Sequence, residues 1–143
     1  IPLIEVSTLH SMAYQVTKYT PKPERFVFCP MLDARRMEVY TCVLSHALEE
    51  LVPIAPVVLS EETFQELLQK QPVIFFGSGA EKFRALAENN QNAMFVDSVV
   101  PSAVPVGKLA LKKYEQQVFE DVAYYEPFYL KDVYITSGSK STK

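Results

Sequence analysis

The chain has 143 residues, 48% of them hydrophobic, a net charge of −3 and a pI near 5.4. That is enough apolar material for one full core with little left for a second, and it provides no global basic field to hold nucleic acid. No apolar run approaches the roughly 20 residues of a membrane-spanning helix. The sequence opens on Ile1-Pro-Leu-Ile-Glu-Val6, which reads as the inside of a strand with neither an initiator Met nor a basic-then-apolar leader. A fragment or processed chain is expected on that ground.

Residues 1–6 read as a short strand. Ser7 or Thr8 is placed to cap a helix over 8–19, striped by Leu9, Met12, Ala13 and Val16. Thr20-Pro-Lys-Pro-Glu24 breaks the pattern and reads as a linker. Two β-prone runs follow, 25–32 and 37–44, around the polar break Asp33-Ala34-Arg35-Arg36, which is the pattern of a β-hairpin. Pro30 cannot donate to a ladder and predicts an edge position or a bulge. Leu51–Leu59, interrupted by Pro53 and Pro56, reads as an irregular edge strand.

Ser60 is expected to cap a helix to Gln69, with Glu61 and Glu62 in its first turn and Phe64, Leu67 and Leu68 inward. Pro72-Val-Ile-Phe-Phe76 is a continuous apolar run, as in a strand covered on both faces. Gly77-Ser78-Gly79 ends it and opens a helix with Ala80, Phe83, Leu86 and Ala87 on one side. Met94–Asp97 is a further short strand. Ser102 caps a last helix to Phe119, with Pro105 tolerated in its first turn. Ala103, Val106, Ala110, Leu111, Tyr114 and Val118 are expected inside, and Lys108, Lys112 and Lys113 on a solvated face. The aromatic stretch 124–132 is expected to be extended and packed on the body, and 133–143 to be a disordered tail.

This order calls for an antiparallel hairpin extended by parallel strands with helices on both faces. It is the α/β, ribonuclease-H-like arrangement, a mixed five-stranded sheet shared with each half of the actin-like ATPases.

The chemistry-bearing residues are sparse. Asp33, Asp97 and Glu61 or Glu62 occupy regions where ribonuclease-H-like nucleases gather carboxylates around two divalent metals, but each also has an ordinary role as turn, cap or solvated residue. His10 and His46 are the only histidines and each stands alone on its element, so no metalloprotease pair exists. Cys29 and Cys42 lie on the two hairpin arms without zinc spacing and are expected as buried, reduced core thiols. Gly77 and Gly79 fit either an ordinary strand–helix turn or a close backbone approach to a phosphate or adenosine.

The segment Cys29-Pro-Met-Leu-Asp-Ala-Arg-Arg-Met-Glu-Val-Tyr40 resembles the TsaB (YeaZ) family, the actin-like, non-catalytic subunit of the bacterial system that makes threonylcarbamoyladenosine in tRNA. Ile4-Glu-Val-Ser-Thr-Leu9, Gly77-Ser78-Gly79 and Pro127-Phe-Tyr-Leu-Lys131 agree with it in order and spacing. The resemblance covers nearly the whole chain but only the second half of the family protein. It implies that residues 1–20 end a mostly missing first actin-like domain, and that 25–132 form the second.

In actin-like ATPases the Asp of this hairpin turn is followed by Gly. Here Ala34-Arg35-Arg36 follow Asp33, which disfavours close approach to a phosphate. Asp33, Gly77, Ser78 and Gly79 are then relics of a nucleotide site. The resemblance further implies no catalysis and no cofactor of the chain's own, beyond weak ATP or ADP binding in the intact complex. Its partners would be the transferase TsaD and the ATPase TsaE, with tRNA reached only through them, no membrane contact and a cytoplasmic setting. The apolar area of an orphaned 1–20 segment predicts a homodimer in isolation. The alternatives are a metal-dependent nuclease on the same fold, or a glycoprotease-like hydrolase.

Overall fold

A computed structural model describes residues 1–130 of the chain, so the expected 133–143 tail and Lys131 lie outside the described residues. Helix α1 (Thr8–Tyr19) is followed by a single 3-10 turn at Pro23–Arg25, then strands β1 (Val27–Asp33), β2 (Glu38–Leu44) and β3 (Glu50–Val58). Helix α2 (Gln65–Lys70), strand β4 (Val73–Phe76), helix α3 (Ala80–Ala87), strand β5 (Ala93–Val96) and helix α4 (Ala103–Glu115) complete it. The strands form one mixed sheet in the order β3-β2-β1-β4-β5, with β1, β2 and β3 antiparallel and β4 and β5 parallel to β1. The α/β class and the five-stranded mixed sheet match the sequence-based expectation.

Strand alternation divides the core between two faces. Val27, Cys29, Met31, Val39, Val43, Val73 and Phe75 point to one side, where α2 and α3 cover them with Leu68, Ala80, Phe83 and Ala87. Phe28, Cys42, Leu44, Ile74 and Phe76 point to the other, against Leu9, Met12, Ala13 and Val16 of α1. On the first face Phe75 meets Phe83 in a tilted pair at 4.8 Å and Phe95 in a stacked pair at 5.4 Å between ring centroids, arrangements that add to plain area burial. The run Val73–Phe76 is thus apolar throughout because both faces are covered.

Several local expectations are corrected. Residues 1–6 form no strand beyond an isolated bridge between Leu3 and Glu120, and α1 is not orphaned, since its whole apolar stripe is buried. Ser60 caps no helix. It forms a turn in which the Thr63 hydroxyl accepts from the Ser60 N–H at 2.8 Å, and α2 starts only after Phe64, whose φ of 63° is left-handed. Phe64 contacts Phe75 and Phe83 at 5.7 and 5.6 Å, so the gain from aromatic packing outweighs a backbone penalty of about 1–2 kcal/mol. Helix α4 ends at Glu115, because Gln117 takes φ 58° and turns the chain. The stretch 124–130 does not pack down: Tyr124 is 84% and Tyr129 75% exposed.

Pro30 sits neither on an edge nor at a bulge, but in the central strand between β2 and β4. The register irregularities fall in the β2–β3 pair instead. Beside Pro30, the hydroxyl of Thr41, 2% exposed, donates to the Pro30 carbonyl at 2.7 Å and stands 3.3 Å from the Cys29 thiol. A side-chain bond therefore serves a buried carbonyl where the proline interrupts the ladder. Thr41→Val keeps the shape and removes the donor, and is expected to lower unfolding free energy by about 1–2 kcal/mol in urea titration. An unchanged midpoint would show that this hydroxyl does not support β1.

Candidate functional site

The C-terminal ends of the parallel strands are where open α/β sheets offer a crevice, and all four sequence-predicted site residues meet there. Asp33 closes β1, and its N–H donates to the Ser78 hydroxyl at 3.1 Å. The Arg35 N–H returns to Asp33 Oδ1 at 3.1 Å, making an Asx turn. The Lys82 ammonium, on the first turns of α3, pairs with the same carboxylate and reaches the Glu38 carbonyl at 3.4 Å. The Lys82 hydrogen bond, and after it the Arg35 N–H, hold the Asp33 carboxyl below its usual range. Arg35 and Arg36 are exposed and both left-handed, at φ 76° and 47°.

Gly77 and Gly79 are accounted for by the chain itself. At Gly77, φ is +101°, and a Cβ would fall 2.3 Å from the Met31 carbonyl oxygen and 2.7 Å from Met12 Cε. At Gly79 a Cβ would fall 2.6 Å from Val39 Cγ1, and the Gly79 N–H donates to the Met31 carbonyl at 3.1 Å. The close approach these glycines permit is to β1 and β2.

The other acids remain apart. Asp97 pairs with Arg84, which also holds Glu81 at 2.9 Å and lies 4.8 Å over the Phe95 ring. Glu62 is held below its ordinary pKa by the Ser60 side chain. Among the described residues no three His, Cys, Asp or Glu side chains converge as a metal-binding group.

A second feature escaped the sequence reading. On the α1 face a cleft of about 550 Å³ opens between α1, the β2–β3 turn, β3 and α4, with Leu48, Ile54, Leu109 and Phe128 on its walls. His10 Nε2 lies 3.4 Å from Glu50 Oε1, and across the cleft Lys113 donates to the Glu5 carbonyl at 2.8 Å. Burial pushes the His10 pKa down, and Glu50 opposes this only in part. Ser7 also lines the cleft, but His10 Nδ1 is buried without a hydrogen-bond partner, so no Ser–His pair is formed to activate a nucleophile. No spacing in the chain links His10 to Glu50, because their proximity is created by α1 docking beside β3.

No protein-family model matches the chain, and no curated protein matches it. Among solved structures it is similar to one described as the crystal structure of an uncharacterized protein with similarity to peptidase YEAZ from Pseudomonas aeruginosa. The identity is 17% and the TM-score 0.64, over 91% of this chain and 59% of that one. The likeness is one of fold, and the present chain spans 59% of that structure's length.

Lys82→Met is expected to return the Asp33 carboxyl toward the ordinary carboxylate range, read by carbon-detected NMR titration. A titration unmoved by the substitution would show that Lys82 does not hold the carboxylate. For His10, a folded pKa below the unfolded one means that the unfolded state binds more protons as pH falls through the ordinary histidine range near 6.5. Stability conferred by neutral His10 is therefore full above that range and is lost as pH drops through it toward the folded pKa. Denaturant midpoints at pH 7.5 and 5.5 should diverge more for the wild type than for His10→Gln, and equal divergence would dismiss the effect.

Proposed function

We propose that the chain is a TsaB-like interaction unit: a non-catalytic, ribonuclease-H-like (actin-like) domain of a tRNA threonylcarbamoyladenosine system. Its partners are a TsaD-type transferase and, in the assembled complex, a TsaE-type ATPase. The observation that carries this reading is the hairpin, where the Asp-Ala-Arg-x-x-Glu-Val-Tyr signature (Asp33–Tyr40) forms the turn between the first two strands of a β3-β2-β1-β4-β5 sheet. Strand order and direction, helices on both sheet faces and the fold likeness to a YeaZ-similar protein support the fold half of the proposal.

The non-catalytic half draws on the state of the hairpin. Asp33 is already engaged by Lys82 and Arg35. The turn has left-handed arginines where a phosphate-closing loop would want glycine. Gly77 and Gly79 are filled in by Met31, Met12 and Val39. Any weak ATP or ADP binding belongs to the intact complex, in a cytoplasmic setting, and a net charge of −3 favours tRNA contact through the partners.

Among the described residues neither alternative has a supporting observation: no carboxylate group converges as a two-metal nuclease would need, and His10 makes no hydrogen bond that would activate a nucleophile for a hydrolase. Co-expression of the full-length protein with a TsaD-type transferase is expected to yield a co-purifying pair, and reconstituted threonylcarbamoyl transfer is expected to require it. Failure to co-purify would sink the proposal. A magnesium- or manganese-dependent nuclease activity abolished by Asp33→Asn would replace it with the nuclease.

A further inference from the structure

The cleft between α1, the β2–β3 turn, β3 and α4 has apolar walls and carries both signs of charge. Leu48 and Ile54 pack against the α1-face core and also line the cleft. Leu109 adds an apolar contribution from α4, and Phe128 borders the space while remaining 66% exposed. Sequence periodicity places Leu111 and Tyr114 inside, and Lys112 and Lys113 in solvent. The helix is turned otherwise. Leu111 is 57% exposed and Tyr114 lies against Phe119, while Leu109, Lys112, Lys113 and Gln116, spaced by three and four residues, share the edge that borders the cleft.

The charges around this space do not cancel in pairs. Lys113 is engaged by the Glu5 carbonyl at 2.8 Å. Glu50 has the His10 imidazole beside it at 3.4 Å, and burial keeps that imidazole neutral at neutral pH. Among the described residues Glu50 has no Lys or Arg partner, and Lys112 has no carboxylate. The Ser7 hydroxyl, which also lines the cleft, makes no capping bond to α1. A carboxylate, an ammonium and a hydroxyl without strong partners therefore share one partly apolar space of about 550 Å³. Small-molecule sites have this character, with a few convergent polar groups set in apolar walls.

We infer that the cleft binds a small zwitterion with an apolar body, the chemistry of an apolar α-amino acid. The ligand ammonium meets Glu50, its carboxylate meets Lys112 and the Ser7 hydroxyl, and its side chain lies on Leu48, Ile54 and Leu109. The charge pattern selects this class. A simple anion would be brought up against Glu50, and a simple cation against Lys112. A neutral apolar molecule would cover both charges and pair neither, which is costly. A zwitterion compensates both at once through charge-assisted hydrogen bonds, and its apolar part uses the walls. The inference is independent of the transferase reading, which rests on the hairpin.

Amide-resolved NMR titration of the chain with L-leucine tests it. Saturable shifts at residues lining the cleft are expected, with a dissociation constant on the order of 0.1 mM. Isovalerate lacks the ammonium and isoamylamine lacks the carboxylate, and each should bind about tenfold more weakly or worse. Glycine, which lacks the apolar body, should do the same. Glu50→Gln should weaken leucine binding about tenfold without weakening isovalerate, and Lys112→Met should weaken leucine without weakening isoamylamine. Far-UV circular dichroism and melting curves verify that both variants remain folded. The absence of saturable shifts up to the solubility limit of leucine would overturn the inference. So would isovalerate or isoamylamine binding as tightly as leucine, shifts gathered outside the cleft, or titrations indifferent to both substitutions. None of these outcomes alters co-purification with the transferase, so the two readings fail separately.

Discussion

At Gly77 and Gly79 the turn between β4 and α3 lies so close on β1 that a methyl group at either place would overlap its neighbours. The upper edge of the sheet follows from that approach. It brings Ser78 to the Asp33 backbone and delivers Lys82, half a turn into α3, to the Asp33 carboxylate. It also aligns α3 so that Phe83 falls onto Phe75. A bulkier residue at either glycine would disturb hydrogen bonding, charge pairing and core packing together, because all three share one spacing.

The two ends of the sheet then differ in chemical character. At the hairpin end the polar groups are satisfied by one another: carboxylate by ammonium, hydroxyl by amide, and carbonyl by the glycine N–H. At the other end, between α1, β3 and α4, His10 and Glu50 meet in a partly apolar cleft, and one ring nitrogen has no partner. Satisfied networks are rigid and inert, while incompletely satisfied ones respond to pH and to neighbours.

Much of the architecture is legible in the sequence because it rests on alternation and punctuation. Val73-Ile-Phe-Phe76, the hairpin arms and the α1 stripe each announce their element through spacing alone. What misled were residues whose placement depends on distant partners. Phe64 delays α2 because two aromatic rings elsewhere, Phe75 and Phe83, attract it. Pro30 enters a central strand because Thr41, eleven residues away, supplies a hydrogen bond. Helix α4 has apolar residues on two sides, and periodicity cannot say which side α1 takes. The meeting of His10 with Glu50 leaves no local trace at all.

The same alternation that divides the core also separates the two thiols. Cys29 and Cys42 lie on adjacent, hydrogen-bonded strands, yet one faces α2 and α3 and the other faces α1, with the sheet between them. They cannot be joined without breaking the strands that carry them. Burial raises both pKa values to about 12, so almost no thiolate exists at neutral pH in the folded chain. Modification of either sulfur therefore waits for the sheet to open, and each thiol acts as a clock for the opening of its own layer.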